Sequence, residues 1–335
     1  MNFYISTFRK KSIQLFIFFN FLFFIITIIG FSLFDIYTAK QGKFILHKIN
    51  KAAHMKEYLK KNTVEYIFIG TSKTQNHISS SLLKQKGLNT YTYGVPGVLL
   101  SDYSYMVYKT IQLHPKGIIL NINLLDLYVG NILPHIVQPT FIDFFMQFKS
   151  LNTIARPDNL FDIFPLKNYV EGYQLLFNKT PENIKEKVTT LSKIYHYSPD
   201  CDIFTYRGKK RILTLCTNGN GTIWYNNPIT ITQQPFHFLK PNPKLLSFIN
   251  HLIAIIKQNN IEVYLLLDDI RYNSTVSYDN STLYNDLKID KNHILDLTDI
   301  IFKEDEWADS IHINGHGKRK FTLEIIKKLS EKEKK

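Results

Sequence analysis

The residues best suited to chemistry are a serine directly after an apolar run and an aspartate three positions ahead of a histidine near the other end of the chain. Ser72 stands in Gly70-Thr71-Ser72, after VEYIFIG (Val64 to Gly70). A short buried strand, a tight turn and a helix start would put a small side chain and backbone N–H donors at one point, which suits a nucleophile. The same pattern is also an ordinary helix cap. Asp309 and His312 belong to Asp309-Ser310-Ile311-His312-Ile313-Asn314. At that spacing on a turn, the carboxylate can hold one imidazole nitrogen while the other faces a serine hydroxyl. Alone, the pattern is more commonly a polar turn in which the aspartate accepts from backbone donors and the histidine lies at the surface. Acyl transfer also needs oxyanion donors. The Ser72 N–H, the Gly94 N–H and the Asn123 side chain all fall at the ends of expected strands.

These groups act together only if a fold gathers them. Strands are expected at Val64 to Gly70, Leu88 to Gly94, Gly117 to Asn123, Ile261 to Asp268 and His293 to Leu297. Helical stretches lie between them, at Ser101 to His114 and Pro243 to Gln258, with a last helix from Gly317 to about Lys332. Apolar, β-branched strands alternating with helices predict an α/β fold, a flavodoxin-like parallel sheet sandwiched by helices. If the first strand is central and the fifth lies at the edge, Ser72 and His312 converge at the carboxyl rim, where such sheets bind ligands. Residues 129–240, rich in Phe, Tyr, Asn and Pro, form a long insertion without clear periodicity. Insertions of this length leaving that rim are often lids or binding elements.

The 335 residues carry 41 Lys plus Arg against 28 Asp plus Glu, a formal charge of +13, 44% hydrophobic residues and two cysteines. That apolar share excludes disorder, and two cysteines exclude a disulfide framework or a four-cysteine zinc site. The basic excess is scattered lysine with no nucleic-acid-binding motif, so nucleic acid is not expected as a partner. From Ile13 to Phe34 run 22 residues without a charge. As a helix they rise about 33 Å, enough for a hydrocarbon core of about 30 Å. Arg9, Lys10 and Lys11 precede the run and Asp35 follows it, so the amino terminus is expected inside and the rest outside the cytoplasmic membrane. The expected organisation is a basic tip (1–12), a transmembrane anchor (13–34), a stalk helix (35–61), an α/β domain (62–128 and 241–335) and the insertion (129–240). Outside the cell, Cys201 and Cys216 could form one disulfide or remain buried thiols.

In type and order these residues resemble the SGNH/GDSL hydrolase superfamily. Ser72 in GTSKTQNHI resembles its first block, Gly94 in YGVPG its second, Asn123 in LNINLLD its third, and Asp309 with His312 in DSIHINGHG its fifth. The resemblance covers residues 64–126 and 261–325. It is nearest to the membrane-anchored branch that includes alginate O-acetylation proteins and the teichoic-acid D-alanylation protein. It implies a Ser72-His312-Asp309 triad handling acyl esters, O-acetyl above all, of a cell-envelope polysaccharide. It further implies a multi-pass membrane acyltransferase as partner and no cofactor or metal. GTS replaces GDS, and Asn121-Ile122-Asn123-Leu124 stands where the superfamily has Gly-x-Asn-Asp, so Asn121 competes with Asn123. Asp126, Asp268 and Asp269 also sit near strand ends, where they could position substrate or cap the next segment of chain.

Two other readings use the same residues. A scaffold that has lost catalysis would hold an anionic polymer with the insertion and its cluster Arg207, Lys209, Lys210 and Arg211. A zinc hydrolase would use His312 and His316, although Gly315 and Gly317 oppose a stable helix there.

Overall fold

The computed structural model describes residues 12–23, 25–26, 48–129, 195–198, 213–223, 240–270 and 282–333. The first helix of the domain, α1 (Lys48–Leu59), is followed by β1 (Tyr66–Gly70), the short helices α2 (Ser72–His77) and α3 (Ser80–Gln85), and β2 (Thr90–Gly94). Next come α4 (Tyr103–Ile111), β3 (Gly117–Asn123) and α5 (Leu124–Val129). The insertion contributes β4 (Tyr195–Ser198), β5 (Leu213–Cys216) and β6 (Gly221–Ile223). The chain then forms α6 (Pro243–Gln258), β7 (Glu262–Asp268), α7 (Leu283–Asp286), β8 (Ile294–Asp296) and α8 (Gly315–Glu333).

The main sheet has the order β2-β1-β3-β7-β8, with every pair parallel. Every residue of β1, β2 and β3 is buried, the two threonines of β2 and the two asparagines of β3 included, as in strands covered on both faces. Alternation sends Ile67, Ile69, Tyr91, Tyr93, Ile118 and Leu120 to one face, under α1, α4 and α6. Phe68, Ile119, Leu266 and Leu295 point to the other, where Phe321 and Ile325 of α8 cover them. Burying a side chain such as Phe68 stabilises the fold by about 2–3 kcal/mol.

The middle strand is β3, not β1, so adjacency in the sheet does not by itself bring the ends of β1 and β8 together. The link is the chain after β8, because α8 packs against α2 and α3. His77 meets Phe321 edge-on, and the Ser79 N–H donates to Thr322 Oγ1 at 2.9 Å.

Three boundaries differ from expectation. The residues read as a stalk include α1, which is part of the folded domain. Ala52 and Met55 lie in its core, and His54 Nδ1 is 2.8 Å from the Tyr91 hydroxyl. The last helix begins at Gly315 because Asn314 Oδ1 accepts from the N–H groups of His316 and Gly317, which compensates for two glycines in the first turn. The described part of the insertion is a second sheet of order β4-β5-β6. Its 217–222 segment docks on the domain: Thr92 N–H donates to Asn218 O, Asn220 Nδ2 to Ile78 O, and the buried Lys318 Nζ to Gly221 O and Thr222 Oγ1. Cys216 is disulfide-bonded. Cys201, the chain's other cysteine, and the basic cluster 207–211 lie outside the described residues.

No helix among the described residues is long and apolar enough to cross a membrane. Of the expected span, residues 13–23 and 25–26 are helical with Phe16, Ile17 and Phe21 exposed, and residues 24 and 27–34 lie outside the described residues.

Candidate active site

The site begins with two glycines in register, Gly70 at the end of β1 and Gly94 at the end of β2. Helix α2 lies directly on them. A Cβ on Gly94 would run into the Gln75 backbone nitrogen and the Thr71 carbonyl oxygen, so only glycine lets the helix approach this closely. Thr71 caps α2 in an extended conformation, its hydroxyl accepting from Lys73 N–H at 3.3 Å. Capping therefore falls to Thr71, which leaves the Ser72 hydroxyl for another partner.

That partner is His312, whose Nε2 lies 2.9 Å from Ser72 Oγ. Residues 307–313 form a tight turn, closed by the Trp307–Ile313 bridge and by Ala308 N–H and Asp309 N–H donating to the His312 carbonyl oxygen. Inside it, His312 Nδ1 is 2.9 Å from Asp309 Oδ1 and 3.0 Å from Oδ2. Asp309 Oδ1 also accepts from the N–H groups of Ile311 and His312. The two sequence readings of Asp309 are thus compatible: it closes the turn and holds the imidazole. With its carboxylate as acceptor at Nδ1, the neutral ring carries its proton there and presents a bare Nε2 to the serine. His312 is 8% exposed, so the contact is largely shielded from bulk water.

The carboxyl ends of β3 and β7 are joined by a buried polar cluster around Asp268. Asn121 Nδ2 donates to Asp268 Oδ2 at 2.6 Å, and Asn123 Nδ2 to Oδ1 at 2.8 Å and to the Asp268 carbonyl oxygen at 3.3 Å. Asn121 Oδ1 accepts from Thr74 Oγ1 of α2 at 2.7 Å, and its backbone oxygen accepts from the Tyr103 hydroxyl at 2.6 Å. Burial and the neighbouring carboxylates Asp126, Asp268 and Asp102 push the Tyr103 phenol well up, which keeps it a donor. Lys73, next to the serine, donates to Ile270 O at 2.8 Å and lies 3.9 Å from Asp268 Oδ1. The amide of Asn123 is thus already directed at Asp268, and to serve an oxyanion it would exchange one of these bonds for one to substrate. Asn121 lies deeper in the cluster, tied to α2 through Thr74.

The Gly94 carbonyl oxygen accepts from Lys51 Nζ, a fully buried lysine of α1 that also donates to Gln75 Oε1 at 2.9 Å. Burial pushes its ammonium well below the ordinary lysine range. Neither Lys51 nor His77 was marked by the sequence. For His77 the only signal is its place five residues after Ser72, at the end of the same short helix. His316 is exposed on the first turn of α8, while both ring nitrogens of His312 are engaged by Ser72 and Asp309, an arrangement that gives a metal no histidine pair. Asp126 lies in the first turn of α5.

Comparison with protein-family models, curated proteins and solved structures finds no match for this chain.

Proposed function

We propose that the protein is a membrane-anchored serine esterase or O-acyltransferase of the SGNH type, acting on acyl esters, O-acetyl above all, of a cell-envelope polysaccharide. The observation that carries this reading is the continuous relay from Ser72 Oγ through His312 to the Asp309 carboxylate, built from residues 240 positions apart. A binding scaffold has no need of a serine hydroxyl aimed at a bare imidazole nitrogen. The strand order β2-β1-β3-β7-β8 supports the same reading, because it is the flavodoxin-like order with the relay at the carboxyl ends of the strands.

In the first half-reaction Ser72 Oγ attacks the acyl carbonyl and its proton passes to His312 Nε2. Asp309 holds the tautomer and stabilises the imidazolium. The N–H groups of Ser72 and Gly94, with the Asn123 amide, supply the oxyanion donors. His312 then protonates the departing hydroxyl oxygen, which leaves an acyl-serine. In the second half-reaction water or a sugar hydroxyl gives its proton to His312 Nε2 and attacks the acyl carbonyl; the Ser72 Oγ–acyl bond then breaks, and His312 returns the proton to Ser72 Oγ. Which acceptor wins would depend on how well the insertion excludes water and orients a polymer at the site. The uncharged run 13–34 supports the anchor, and the bonded Cys216 supports a domain held in an oxidising compartment. A multi-pass membrane acyltransferase would deliver acyl groups from inside.

The test is covalent. A fluorophosphonate probe should label the full-length protein in detergent, with the adduct mapped by mass spectrometry to Ser72, and Ser72→Ala should take no label. In cells, Ser72→Ala should change the O-acetyl content of an envelope polymer. A wild-type protein that neither takes the probe nor turns over any ester would leave the scaffold reading in its place.

A further inference from the structure

Helix α2 grips the His312 turn twice. Its first residue, Ser72, does so through Oγ at His312 Nε2, and its last, His77, through Nε2, which accepts the Ile313 N–H at 3.2 Å. The two grips stand about 7.5 Å apart along the helix axis. His77 is fully buried, its ring edge-on to His312 with centroids 5.7 Å apart. A ring nitrogen that accepts from an amide N–H carries no proton, so neutral His77 has its hydrogen on Nδ1. That atom is buried and has no hydrogen-bond partner among the described residues. A leucine here would avoid the orphaned Nδ1–H but would strand the Ile313 N–H instead. Burial, with His312, Lys73 and Lys318 nearby, holds His77 well below the ordinary histidine range and keeps its acceptor in place.

We infer that His77 is a positioning residue, which sets the height of the His312 turn over α2 by accepting the Ile313 N–H and so brings His312 Nε2 to Ser72. The inference rests on the reading of Ser72 and His312 as nucleophile and base. Its mechanical reason is that the Ser72–His312 contact is lost in every cycle once the serine is acylated, so it cannot itself maintain the register. The His77–Ile313 bond takes no part in proton transfer to substrate and persists throughout. A neutral His77 also spares the imidazolium on His312 a like charge at its edge.

Two measurements test this. In the wild-type full-length protein, two-bond ¹H–¹⁵N correlations should find Nε2 of His77 without a proton, and a protonated Nε2 overturns the inference. His77→Gln keeps an acceptor, whereas His77→Leu removes it. With p-nitrophenyl acetate, the acylation rate should fall by about 10- to 100-fold in His77→Leu at unchanged KM, and stay within about 3-fold of wild type in His77→Gln. A folded His77→Leu protein as fast as wild type, or a Gln variant no faster than Leu, overturns it. If His77→Leu does not fold, the tautomer and the His77→Gln rate decide between the two outcomes. Wild-type protein unlabelled at Ser72 with a bare Nε2 marks failure of the catalytic reading, whereas labelling together with a protonated Nε2 marks failure of the positioning role alone.

Discussion

Lys51 Nζ donates to the Gly94 carbonyl oxygen at 2.5 Å, which ties helix α1 to the strand end beneath the candidate nucleophile. The contact makes α1 part of the scaffold that fixes β2 and α2, although its mixed apolar and basic composition reads as a spacer between anchor and domain. Met55, one turn on from Lys51, is fully buried in the same core. Met55→Ala should therefore cost about 2–5 kcal/mol in urea unfolding of the full chain. A helix lying free near lipid headgroups would show a change within about 0.5 kcal/mol.

Asp309 sets the tautomer of His312, and replacing its carboxylate with an amide reverses the donor at one of the two oxygens. In Asp309→Asn the backbone donors of Ile311 and His312 still find an oxygen, so the turn should survive. The imidazole, however, will tend to turn its proton towards Ser72. The expected loss in kcat for ester hydrolysis is about 10³- to 10⁴-fold, with the melting temperature shifted by only a few degrees. A variant retaining more than a tenth of wild-type kcat would remove Asp309 from the relay.

The main sheet was legible because short Ile-rich runs such as GIILNIN, set between helical stretches, fit strands of a sheet buried on both faces. The Ser72–His312 meeting was legible only in outline. The order of β1 and β8 in the sheet sets them three places apart, and the gap is closed by the packing of α8 on α2 and α3, a tertiary contact that leaves no local pattern in the chain. The role of Asn314 as the cap of α8 is local, but the two glycines after it masked the helix start. Asp268 was visible as a carboxylate at a strand end. Its partners Asn121 and Asn123 alternate along β3 and converge on it only through the parallel register with β7, which sequence spacing does not encode. Lys51 and His77 were missed for the opposite reason, since charged and titratable residues are ordinarily read as exposed, and their burial comes from packing with remote elements.

Asp268 is 1% exposed, and its carboxylate accepts from both Asn121 Nδ2 and Asn123 Nδ2, each of which also donates to a backbone oxygen, that of Leu266 or of Asp268 itself. Asp268→Asn would set an amide N–H against either Asn121 Nδ2 or Asn123 Nδ2, and no rotamer satisfies both. Breaking a buried, hydrogen-bonded carboxylate in this way should cost about 3–5 kcal/mol in urea unfolding. Asp268→Ala should be similarly destabilising, because one N–H of each amide and the backbone N–H of Ile270 lose the same carboxylate acceptor. A loss below about 1 kcal/mol in both variants would show that the cluster contributes little to holding β3 against β7.

His77 also makes stability depend on pH in a direction opposite to that of a histidine that gains an anionic partner. Burial lowers its folded-state pKa well below the ordinary 6.5. At pH well above 6.5 both folded and unfolded chains hold it neutral, and it adds no pH dependence. As pH falls through 6.5, the unfolded chain takes up a proton that the folded chain refuses, so the unfolded state binds more protons and stability drops. His77→Gln has no group to titrate there. The difference in unfolding free energy between wild type and His77→Gln should therefore be flat from about pH 8 to 7.5. It should then move against the wild type with a slope approaching about 1.4 kcal/mol per pH unit below about pH 6. Urea unfolding of both proteins at half-unit steps from about pH 8 to 5 measures it. A difference that stays flat throughout would mean that His77 accepts its proton in the folded state, which is incompatible with Nε2 holding the Ile313 N–H.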